Sequence, residues 1–246
     1  MKDFNRPLPI KKSRMGARGR RNSNSVILSG VETANWSLQC DNAVFERIKN
    51  EESFQQILAL ARAVNGLRFA ISAMVPDAND MSPTARRARI NSFLFGSAIL
   101  YEGLLLVEKM NKRFGLNEIF SQGLHTLLKD PVARRLRKSH LGRVRNFAVF
   151  HYASEEFGKI VNSASVDECE FMVGRGNSGR ESYFPFADTL AAEVLMGRAS
   201  DDDAFYDDLG LVMSETRELA THFTDFSHRL ILKCLHEWGF ILQALP

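Results

Sequence analysis

Arg145 and His151 stand six residues apart, with Asn146 directly after the arginine and Tyr152 directly after the histidine. An arginine grips phosphate through its planar fork of N–H donors, and a histidine exchanges protons near neutrality. Together they suit metal-free cleavage of an RNA backbone. The histidine would take or return a proton at the 2′-hydroxyl or the leaving oxygen, while the arginine stabilises charge on the phosphate. On a straight α-helix a six-residue step puts two side chains about 120° apart. The pair therefore converges only if the helix ends or bends between them, or if a second subunit supplies the partner. The stretch Tyr152-Ala153-Ser154, followed by Glu155-Glu156, reads as a helix end and a fresh cap, which favours the first route.

A run of cations leads into this pair. Arg134, Arg135, Arg137, Lys138, Arg143 and Arg145 fall within twelve positions, with His140 among them. Val132, Leu136, Val144, Ala148 and Phe150 mark an inward face, so the cations crowd the remaining surface. Residues 1–24 hold eight basic residues and one acidic one, and the whole chain carries +3, so the rest sums to −4 and the patch is a local feature. It suits a phosphate backbone; the alternative is a solvated basic face offset by acidic neighbours. Glu102 interrupts a very apolar run, from Phe93-Leu94-Phe95 to Leu104-Leu105-Leu106-Val107. A carboxylate there either pairs with a cation, for which Arg145 is the candidate, or lies on an exposed stripe.

Other chemistries are poorly supported. Gly174, Gly176 and Gly179 spell GxGxxG, but an expected strand follows them where a dinucleotide site needs a helix. None of the six histidines is four residues from another, and His222 and His228 lie about 120° apart on a straight helix. Glu218-His222 and Asp225-Arg229 read as surface helix pairs. No nucleophile elbow is present, and the cysteines stand beside acidic or apolar residues rather than a cation at a helix start. No metal or cofactor is expected.

The nine residues Val144-Arg145-Asn146-Phe147-Ala148-Val149-Phe150-His151-Tyr152 resemble the HEPN signature, in which an arginine and a polar residue precede a histidine by a short spacing. The resemblance implies a helical fold, dimerisation around the motif, and metal-independent endoribonuclease activity in toxin or defence systems. By position, Arg145 and His151 would be the catalytic pair and Asn146 the residue that orients them, with Glu102 and Tyr152 in support. Arg134, Arg135, Arg137, Lys138 and Arg143 would hold the RNA. A homodimer is expected, with a cognate antitoxin or regulatory protein as a further partner. The superfamily also includes inactive, scaffold and antitoxin-like forms. A non-catalytic helical interaction subunit and a non-catalytic nucleic-acid-binding protein therefore stand as rival readings.

The elements that must position these residues are mostly helices. With 45% hydrophobic and 25% charged residues, the composition fits a globular domain. The apolar run over 93–107 is broken by Gly96, Ser97, Glu102 and Gly103, and reads as a core helix rather than a membrane span. The basic N-terminus has no apolar stretch behind it, so it does not read as a secretory signal. Cys40, Cys169 and Cys234 have no paired spacing, which points to a reducing compartment and a cytoplasmic protein. Residues 1–28 are expected to form a disordered basic arm, either a nucleic-acid tether or a solubilising or targeting tail. Residues 29–246 are expected to form one helical domain.

Within that domain the helical pattern starts at Asp41 and breaks near Asn50. Ser82-Pro83 opens a helix that runs to Phe114 with Gly115 as its stop, and Asp130-Pro131 opens one that ends near His151. A β-hairpin is expected over about 168–186, where Phe171-Met172-Val173 and Ser182-Tyr183-Phe184 flank a glycine-rich loop. A helix resumes past Asp188, and Asp201-Asp202-Asp203 opens a last long one. The expected fold class is all-α: a bundle of long helices with one small β-hairpin insertion.

Overall fold

The computed structural model describes residues 36–74, 83–149, 185–197 and 203–244. Over these the chain is an all-α bundle. Its helices are α1 (Asn42–Ile48), α2 (Glu52–Met74), α3 (Pro83–Phe114), α4 (Asn117–Leu124), α5 (Pro131–Leu136), α6 (Pro185–Met196) and α7 (Asp203–Trp238). The helix of α4 continues in a wider π-helical turn, His125–Lys129, and that of α5 in two π-helical segments, Arg137–Leu141 and Val144–Val149.

The ends of these helices follow local chemistry. Asp41 caps α1, its carboxylate accepting from the Val44 amide at 2.8 Å. Asp130 caps α5 twice, accepting from the amides of Val132 at 2.8 Å and Ala133 at 3.2 Å, with Pro131 at the first helical position. Helix α3 stops at Gly115, whose φ of 62° is open to glycine at little cost. Arg47 of α1 donates through Nη2 to the Trp238 carbonyl at 3.1 Å, closing the end of α7.

Helices α2, α3 and α7 form the centre. Leu60 and Leu67 of α2, Leu100, Leu104 and Val107 of α3, and Phe223 and Leu230 of α7 are all essentially solvent-free. Burying each such side chain contributes about 1.5–3 kcal/mol. Small residues allow the backbones to close in: Gly66 lies against Ile99, Gly96 against Ala70, and Gly103 under the ring of Phe223. These contacts run in opposite directions along α2 and α3, so the two helices are antiparallel. The segment Arg87–Phe114 of α3 is long and apolar enough to cross a membrane, but half of its apolar stretch is buried inside the bundle. That burial makes it the central core helix.

The helix starts expected at Pro83, Pro131 and the 201–203 aspartates match α3, α5 and α7. Three features differ. Helix α6 begins at Pro185, ahead of Asp188 and inside the last positions assigned to the hairpin, because proline is suited to a first helical turn; the rest of the expected hairpin lies outside the described residues. Helix α4 went unread, although Leu124 at its end is buried, as are Leu116 just before it and Leu127 in the π-helical turn that follows. Finally, β1 (Trp36–Gln39) pairs antiparallel with β2 (Ile241–Ala244), Trp36 opposite Ala244 and Gln39 opposite Ile241. This ribbon joins the first and last described segments of the chain.

Candidate functional site

The helix of α5 packs against α3, α6 and α7 with Ala133, Leu136, His140, Leu141 and Val144 buried beneath it. Its cations are held by three neighbouring helices. Arg135 pairs with Glu215 of α7, and Arg137 pairs with Glu108 of α3. Arg145 Nε donates to Glu102 Oε1 of α3 at 2.7 Å, and its Nη1 donates to Asn146 Oδ1 at 3.0 Å. Arg143 Nη1 donates to the Met196 carbonyl of α6 at 3.2 Å. The same guanidinium lies where a Cβ on Gly197 would come within 1.9 Å, and Gly197 turns the chain at a φ of 70°. Arg134 and Lys138 are exposed and have no acidic partner among the described residues.

Both alternatives for Glu102 hold at once, since it pairs with Arg145 and lies on an exposed stripe: the side chains are 47% and 36% exposed. Such a pair contributes only about 0.2–1 kcal/mol to stability. Its consequence is geometric, because two acceptors orient one guanidinium. Glu108 is held below the usual carboxylate range, chiefly by hydrogen bonds from Arg137 and then from Lys112. One sequence expectation is corrected here. His140 is not part of the cationic surface: it is buried, and its Nδ1–H donates to the Leu195 carbonyl at 3.2 Å. Burial pushes its pKa down, with Arg135 and Arg143 adding to the effect.

Between α3 and the helix of α5 lies an open concavity of about 670 Å³. Tyr101, Leu128, Arg134, Arg137, Lys138, Gly142, Arg143 and Asn146 line it. Four of these eight residues are cations, of which Arg137 is balanced by Glu108. A second concavity, about 520 Å³, mixes His222, Asp225 and Arg229 with Ser121 and Gln122 and has no clear charge preference. The first is the better anion site. Among the described residues, no three His, Cys, Asp or Glu side chains are arranged to hold a metal ion.

The described structure thus gathers Arg134, Arg137, Lys138, Arg143 and Asn146 on one concavity, with Arg145 and Glu102 joined beside it. Arg135 points to α7 instead. His151 and Tyr152 lie outside the described residues, as do the 1–28 arm and the GxGxxG stretch. Sequence reasoning missed Tyr101 and Gly142, which share this concavity. Tyr101 carried a usable signal, an aromatic directly beside Glu102. Compared with known proteins, the chain matches no protein-family model, no curated protein and no solved structure.

Proposed function

We propose that this protein is a HEPN-like endoribonuclease that binds RNA at the cationic concavity and cleaves it with Arg145 and His151, without a metal ion. The observation that supports this reading best is Arg145 itself, partly exposed, oriented by Glu102 and Asn146, and adjoining a cation-lined hollow. A purely packing role for the motif calls instead for a buried arginine with no hollow beside it.

In the proposed reaction the 2′-oxygen attacks phosphorus, so that a P–O2′ bond forms and the P–O5′ bond breaks. The 2′-hydroxyl loses a proton and the departing 5′-oxygen gains one, with His151 as the exchanging group and Arg145 balancing charge on the phosphoryl oxygens. The products are a 2′,3′-cyclic phosphate and a 5′-hydroxyl. The proposal includes a homodimer, a cytoplasmic site of action, and a role in a toxin or defence system with a cognate antitoxin or regulator.

The test is incubation of purified protein with RNA in EDTA. Wild type is expected to generate cyclic-phosphate ends, and His151→Ala to lose this activity while keeping the same circular dichroism and melting temperature. Salt-sensitive RNA binding with no cleavage by wild type would overturn the enzymatic reading in favour of binding alone.

A further inference from the structure

Tyr101 stands one position before Glu102 on α3, and its ring forms part of the concavity where the cations gather. A Cβ on Gly142 would come within 3.5 Å of Tyr101 Cε2 and 3.8 Å of Cζ, so the ring rests directly over the Gly142 backbone. The ring is partly buried against the core and partly open to the hollow. Around it are exposed Arg134 and Lys138, Arg143 anchored on the end of α6, and the Asn146 amide. The volume of about 670 Å³ falls within the roughly 300–1,000 Å³ of small-ligand sites. One aromatic face, one amide and several cations correspond to the parts of a nucleotide: a base with a π-face, hydrogen-bonding edges and a phosphate.

Building on the RNA-binding reading above, we infer that the concavity takes an unpaired nucleotide, with its base stacked on Tyr101 and its phosphates on Arg134, Lys138 and Arg143. A base within a duplex has both faces covered by its neighbours and cannot offer one to a tyrosine. The ligand class is therefore single-stranded RNA, a loop or a frayed end, and Tyr101 is a specificity-determining residue. Arg143 is a positioned cation, because the Met196 carbonyl and the side-chain-free Gly197 fix where its guanidinium lies.

The experiment measures binding of a labelled 2′-O-methyl oligoribonucleotide, which lacks the 2′-hydroxyl nucleophile, by fluorescence anisotropy over a salt series. Stacking on an aromatic predicts that Tyr101→Ala and Tyr101→Leu each weaken binding roughly 5- to 100-fold. Tyr101→Phe should stay close to wild type. Leucine keeps apolar bulk against the core, so a loss shared by both variants at unchanged melting temperature reports the ring and not misfolding. Lys138→Glu should weaken binding and flatten its salt dependence. An unlabelled blunt duplex should compete at least tenfold more weakly than the single strand.

Binding that follows Lys138 but ignores Tyr101→Leu, or a duplex that competes equally, would overturn the inference. Tyr101-dependent binding without cleavage of unmodified RNA supports it while sinking only the catalytic reading. Cleavage with Tyr101-independent binding does the reverse.

Discussion

Replacing Gly103 with alanine sets two opposing effects against each other, and the packing decides between them. Within a helix, alanine in place of glycine stabilises by about 0.5–1 kcal/mol, because it gives up less backbone freedom on folding. At Gly103 the added Cβ would stand 2.5 Å from Phe223 Cζ and 2.8 Å from Cε2, whereas carbons pack at about 3.5–4.0 Å. Something must yield by roughly 1 Å. Phe223 is fully buried, at 0% exposure, and has no solvent to turn into. Overpacking costs about 1–3 kcal/mol, so the net loss is about 1 kcal/mol, or roughly 2–4 °C in Tm for a chain of this size. Gly210 on α7 supplies the control, since it is exposed and nothing lies within 4 Å of its Cβ. There only the favourable effect survives, and Gly210→Ala should raise Tm by about 1–4 °C. Thermal unfolding followed by circular dichroism reads both changes. Adding Phe223→Leu should shrink the cost of Gly103→Ala, as expected for two residues in contact. If Gly103→Ala melts at or above wild type, α3 and α7 are not packed as described.

Two further predictions concern the helix of α5. Glu102→Ala should change stability by less than about 1 kcal/mol, because the pair it breaks is largely exposed; it should slow RNA cleavage on the order of tenfold by freeing Arg145. Glu102→Gln keeps an acceptor for Arg145 Nε and should recover part of that rate, and equal cleavage by all three proteins would refute a positioning role. His140 has a folded-state pKa below its usual value of about 6.5. The unfolded chain therefore binds the proton first on acidification, and stability, full above about pH 6.5, falls as the pH drops through that value. His140→Asn keeps a donor for the Leu195 carbonyl without the titration. Melting temperatures from pH 7.5 to 5.5 should show a flatter profile for this variant, and parallel profiles would sink the assignment.

Much of the bundle was legible because its signals are local. The Asp130-Pro131 start needs only a carboxylate and a proline in sequence, and the buried stripe of α7 through Val212, Leu219, Phe223, Phe226 and Leu230 repeats at helical spacing. The β1–β2 ribbon has no such local signature. Its strands are four residues each, and their pairing joins Trp36 to Ala244 across nearly the whole chain. At the site, charge logic offered the Glu102–Arg145 pair as one of two alternatives, a carboxylate in an apolar helix seeking a cation, beside an exposed stripe. His140 was misread because its spacing matched the surrounding arginines, while the Leu195 carbonyl that accepts its hydrogen bond lies on a helix 55 residues away.

The concavity itself was illegible for a different reason, the winding of the helix. At about 100° per residue, a straight helix would put Gly142 roughly 80°, Arg143 180° and Asn146 120° away from Arg134. No single hollow takes all four at those angles. Bonds that reach back five residues widen the turn to roughly 80° per residue, and they occur over Arg137–Leu141 and Val144–Val149. Recounted with those two segments, Gly142 and Asn146 swing to within about 20° of Arg134, and Arg143 comes to about 100°. Gly142 and Asn146 then face the same hollow as Arg134 and Lys138, and Arg143 reaches its rim, where Met196 holds it. The cationic site is thus a product of the π-helical winding as much as of the arginines.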